Sequence, residues 1–197
     1  MAGKKGKRGF STYILPILFC GLLVALAVLN NRRTEQPLKA VLQEGEPLTL
    51  NEQAVENYLY SAGYTWDGAI VFDGDGRTAA TLVLTTGTDG AVDGMTLTFP
   101  LPAYYASEDP EGFLTELKAK HDEAAQRGRD MFLALFDAVA ATDSRVASRR
   151  DVALEKLQKT VDSGKAATQT ANAWRFSFSL EPGQLEGTVT VLCERIQ

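Results

Sequence analysis

Residues 69–99 read AIVFDGDGRTAATLVLTTGTDGAVDGMTLTF, and in this stretch the spacing of apolar side chains drops from the 3.6 of a helix to the 2 of a strand. Turn signals at Asp73-Gly74-Asp75-Gly76 and Thr88-Asp89-Gly90 cut it into three β-rich runs, about 69–73, 77–86 and 92–99. The pattern predicts a three-strand antiparallel meander. Pro100 and Pro102 close its last strand, because proline has no N–H to give to a ladder.

Before the meander, Thr49 and Glu52 form a T-x-x-E capping box. Ala54, Val55, Tyr58, Leu59 and Ala62 then share one helical face up to Gly63, which predicts a helix over about 50–62. After it, Asp109 is an N-cap with Pro110 at the first helical position. Leu114, Leu117, Ala124, Ala125, Phe132, Leu135, Phe136 and Val139 carry a long helix to about 141. Gly128 falls on the same stripe, where a missing side chain admits a close neighbour. A further helix follows Thr142–Ser144 with Val146, Ala153, Leu154, Leu157 and Val161, ending near Gly164.

The last segment alternates, with Trp174, Phe176, Phe178 and Leu180 on one side and Arg175, Ser177 and Ser179 on the other. Glu181-Pro182-Gly183 turns the chain into a fifth strand carrying Val189, Val191 and Cys193 on one face, which makes a C-terminal hairpin. Helix, three strands, two helices, two strands is an α+β order: an antiparallel sheet of about five strands, one face covered by about three helices. The two strand units must join edge to edge, and the sequence leaves the strand order open.

Upstream, Phe10–Leu29 (FSTYILPILFCGLLVALAVL) carries no charge and at 1.5 Å per residue reaches about the 30 Å of a bilayer core. Lys4, Lys5, Lys7 and Arg8 precede it, so the positive-inside rule places the N-terminus in the cytoplasm. The expected organisation is a basic tail (1–9), a single transmembrane anchor (10–29), a polar tether (30–47) and an extracytoplasmic domain (48–197). A cell-membrane protein of a bacterial envelope fits this plan. Ala25-Leu26-Ala27 also matches a signal-peptidase pattern, and cleavage there would release a secreted domain. Bulky Phe19 before Cys20 does not suit lipidation.

Setting aside Lys4, Lys5, Lys7, Arg8, Arg32 and Arg33 from the 20 basic residues, against 25 acidic ones, leaves the outer part at about −11. Such a field repels phosphate backbones, so nucleic acid is excluded as a partner. The outer part has one cysteine and one histidine, Cys193 and His121, which provide neither an internal disulfide nor a zinc-ligand set.

The string Ile70-Val-Phe-Asp-Gly-Asp-Gly-Arg-Thr78 resembles the haloacid-dehalogenase phosphatase signature, an apolar strand followed by Asp-x-Asp-Gly-Thr. The resemblance would make Asp73 a nucleophile and Asp75 an acid/base beside Mg²⁺. Arg77 interrupts the motif, however, and a hairpin partner follows where a parallel sheet needs a crossover helix. An EF-hand reading fails as well, since Arg77 and Leu84 stand at its fifth and twelfth positions. A glycine-rich hairpin turn is the reading that remains. His121, on the apolar stripe between Leu117 and Ala124, reads as a part-buried helix residue, and Cys193 reads as core.

Tyr58, Tyr60, Tyr64 and Trp66 crowd the end of the first helix, and Tyr104 and Tyr105 follow the meander. Because Tyr58 and Tyr60 cannot share a helical face, Tyr60, Tyr64, Trp66, Tyr104 and Tyr105 form the candidate binding surface. The expectation is a membrane-anchored extracytoplasmic binding domain for an envelope protein or cell-wall partner, without cofactor, metal or catalytic residues. The alternative is an extracytoplasmic hydrolase whose site is assembled from scattered carboxylates.

Overall fold

A computed structural model describes residues 49–103 and 113–196; the predicted anchor, the tether and Asp109-Pro110 lie outside them. Chain order is α1 (Glu52–Ser61), β1 (Thr65–Trp66), β2 (Ile70–Phe72), β3 (Thr78–Thr86), β4 (Val92–Pro102), α2 (Phe113–Thr142), α3 (Ser144–Ala147), α4 (Arg150–Ser163), β5 (Ala167–Ala171), β6 (Trp174–Glu181) and β7 (Glu186–Arg195). The strands form one antiparallel sheet in the order β1-β2-β3-β4-β7-β6-β5. The fold is α+β, and the two strand units meet at β4–β7, where Gly94 to Pro102 pair with Glu194 to Glu186.

The sheet has seven strands rather than about five. β1 is only two residues long, too short to carry a period. β5 reads Ala-Thr-Gln-Thr-Ala and lacks large apolar side chains, because its inward positions lie beside bulky ones: Ala167 pairs with Phe178, Gln169 with Phe176 and Ala171 with Trp174. Its turn into β6 is Asn172-Ala173, with Asn172 at φ 53°, and not one of the Asn-Gly or Asp-Gly pairs that announce a hairpin.

Three boundaries also differ from expectation. The N-cap of α1 is Asn51, whose Oδ1 accepts the Ala54 N–H at 2.9 Å, and not Thr49. Gly63, with φ +88°, follows that helix as expected. The helix predicted after Ser144 is two helices, a single turn α3 capped by Asp143 and then α4.

The third difference is that Pro100 and Pro102 do not end β4 but pair with Thr188 and Glu186 of β7. β3 pairs with β4 only as far as Thr98, so beyond it β4 has an open side. The Ala103 N–H donates to Leu185 O on the β7 side at 2.9 Å, so by alternation the nitrogens of Pro100 and Pro102 point to the open side, where no donor is required.

One apolar core lies between the helices and the inward face of the sheet. Phe132 and Phe136 of α2 meet Phe176 and Phe178 of β6 edge-on or tilted, with centroids 5.0–6.1 Å apart. Gly128 lies over β4, and a Cβ there would come within 2.2 Å of the Phe99 ring, so the close approach read from the stripe is made by Phe99. Cys193 is fully buried, and desolvation pushes its thiol up to about 12, which makes it an inert core residue. Arg150 of α4 clasps Asp137 of α2 through Nε and Nη2, at 3.0 and 3.3 Å.

Candidate functional site

Asp73 and Asp75 form a turn. Asp73 Oδ1 accepts the N–H groups of Asp75 and Arg77 at 3.0 and 2.9 Å, and the Arg77 guanidinium bridges both carboxylates at 3.1 and 2.7 Å. The Arg77 backbone donor, more than its charge, holds the Asp73 carboxyl below its ordinary value. The strand that follows is antiparallel, as a hairpin requires. Asp89 likewise accepts the Ala91 N–H in the next turn.

The described aromatics fall in different layers. Tyr60 is 53% exposed, whereas Tyr64 is 6% exposed, its hydroxyl aimed at Arg127 O at 3.4 Å and its titration raised, chiefly by burial. Trp66 is half-buried against the core and donates Nε1–H to Leu82 O at 3.3 Å. Tyr60 is thus the one of these three that stands out in solvent; Tyr104 and Tyr105 lie outside the described residues.

A cleft of about 410 Å³ opens between α2, α4 and the β6–β7 turn, lined by Pro102, Lys118, His121, Asp122 and Asp162 among others. Pro102 O can only accept, so His121 Nδ1, 2.8 Å away, carries the proton of that bond. His121 is half-buried, as its place on the stripe predicted. Asp122 is ion-paired to Lys118, and Asp162 accepts from the Gln158 amide at 2.8 Å. A second, polar cleft of about 590 Å³ holds Asp89, Asp143, Arg145, Asn172 and Arg195 at the other end of the sheet. There Asp143 caps α3 and accepts from Asn172 and Arg145, and the Asn172 bond is the chief cause holding its carboxyl low. Among the described residues, the displaced carboxyls Asp67, Asp73, Glu116 and Asp143 all move down, the direction that favours charge and opposes general-acid work.

The most extended feature is the sheet face turned away from the core. Along each strand alternate residues point there, and on four strands they are hydroxyl pairs: Thr96/Thr98 on β4, Thr188/Thr190 on β7, Ser177/Ser179 on β6 and Thr168/Thr170 on β5. The registers align them in rows. Thr81, Thr98, Thr190 and Ser179 run unbroken across β3, β4, β7 and β6. The neighbouring row is Val83, Thr96, Leu192, Ser177 and Thr168, with Val83 58% exposed. In the next row the charges cancel, Arg175 Nε lying 3.2 Å from Glu194. All of these side chains are exposed or half-buried.

The sheet edges offer less to a partner. β1 is two residues long, and β5 leaves its Thr170 carbonyl to the Gln169 amide at 2.7 Å, which blunts that edge against strand addition. The T-x-T and S-x-S spacing was legible in the sequence, but its meaning needed the register that lines the strands up.

No protein-family model, no curated protein and no solved structure matches the chain.

Proposed function

We propose that this chain is a membrane-anchored extracytoplasmic binding domain, and that it recognises its envelope protein or cell-wall partner through the open face of the sheet. The observation that carries the reading is the four-strand row Thr81–Thr98–Thr190–Ser179, an uncharged array carried on four directly paired strands. Sites built on strands hold their geometry better than sites on loops, and the core beneath fixes every strand of the row. The charge-free run Phe10–Leu29 supplies the anchor and the basic tail its orientation, with the acidic domain outside. Among the described residues no helix is long and apolar enough to cross a membrane.

Two measurements test this. A photo-crosslinking residue at Val83, in the full chain in membranes, gives an adduct that the same group at Gln158 on the helix layer does not; equal labelling at both positions overturns the face assignment. N-terminal sequencing of the membrane-bound protein finds residues before Phe10 retained, whereas a chain starting at Val28 makes the domain secreted.

A further inference from the structure

The partner's chemistry follows from what the open face contains, granted that this face is the recognition surface. Protein interfaces draw their energy from Trp, Tyr and Arg anchors seated in pockets, and Ser, Thr and Val are under-represented among such anchors. The open face is built chiefly of those under-represented types; Arg175 is neutralised by Glu194, and the exposed carboxylate of Glu181, beside Thr188, lies one row away from the hydroxyl row. Anionic lipid, nucleic acid and acidic polysaccharide need a cationic surface, whereas the outer part carries a net charge of about −11 from the count of its charged residues and the open face has Arg175 as its one paired cation among the rows described. What suits a neutral array of groups that both donate and accept is a ligand made of the same groups.

We propose that the open face binds an uncharged glycan chain laid across the strands. Adjacent strands stand about 4.8 Å apart, close to the advance of one ring along a 4-linked pyranose chain, so Thr81, Thr98, Thr190 and Ser179 offer one hydroxyl per ring to successive sugars. The flanking row contributes Val83 and Leu192, whose methyl groups meet the C–H faces of the rings while Thr96 between them donates or accepts. Binding of this kind has no ion-pair component, so salt does not weaken it.

The test is co-sedimentation of the full chain, in detergent, with insoluble chitin and cellulose as uncharged glycans and with polygalacturonate as an anionic one. The wild type sediments with at least one uncharged glycan, equally at 0.05 and 0.5 M NaCl, and not with polygalacturonate. The Thr98→Val/Thr190→Val variant, which keeps side-chain shape and strand propensity, loses binding at least tenfold with an unchanged circular dichroism spectrum. Failure of the wild type to bind either glycan, or equal binding by the variant, overturns the proposal. Val83 crosslinking separates the two levels: a specific protein adduct without glycan binding sinks the glycan assignment alone, and no adduct of any kind sinks the recognition face with it.

Discussion

The two faces of the sheet come from the same strands and differ only by the parity of the residue. On β6, Phe176 and Phe178 are fully buried against α2, while Ser177 and Ser179, one position along, face outward. On β4, Met95, Leu97 and Phe99 are buried and Thr96 and Thr98 look out. The inward face is specified by volume, since each aromatic must fit the helix above it. The outward face carries Thr, Ser and Val, small side chains that suit a solvated strand surface and need no partner above them. The contrast teaches that exposed residues are laid out in register because the buried residues beside them fix the backbone.

The largest expected effect comes from breaking the inward face. Phe178→Ala removes a ring packed edge-to-face on Phe132 at 5.3 Å and should cost about 3–5 kcal/mol in urea unfolding. Next is Gly128→Ala, where the new methyl drives into the Phe99 ring. About 1–3 kcal/mol should be lost despite the better helix propensity of alanine, and Phe99→Leu in the same chain should restore part of it.

Asp143 sharpens the comparison from the rim, where it ties the α2–α3 corner to the β5–β6 turn. Its carboxyl is held below the ordinary 3.8, so its contribution is present above that pH and is lost as pH falls through the depressed value. Asparagine ranks with aspartate as an N-cap, so Asp143→Asn should cost only the charged part of these bonds, less than about 1 kcal/mol at neutral pH. The gap from wild type should close as the denaturation is repeated below pH 3.8. Smallest is Ser179→Ala, which should change stability by less than about 0.5 kcal/mol although it is the neighbour of Phe178. A loss approaching that of Phe178→Ala would show that the outward face is packed after all.

Much of the architecture was readable from the chain alone. Periods of 2 and 3.6, turn glycines and helix caps located the meander, the long helix and the C-terminal hairpin, because those signals act within a few residues. β5 was hidden because its alanines are small to make room for Phe178 and Trp174 on another strand. The prolines of β4 misled for a related reason: whether a missing N–H matters depends on whether a partner strand stands on that side. The aromatic cluster divided in the same way, Tyr64 turning into the core while Tyr60 stayed outside.

By itself, then, the sequence determined the α+β class, the charge asymmetry between the first 33 residues and the rest, the helix stops at Gly63 and Gly164 and the close approach at Gly128, all consequences of local stereochemistry or net charge. Only the tertiary structure decided the β4–β7 joint, the seven-strand order and the alignment of separate T-x-T and S-x-S pairs into rows across the open face. Those depend on pairing between residues far apart in the chain, which the alternation along any one strand cannot encode.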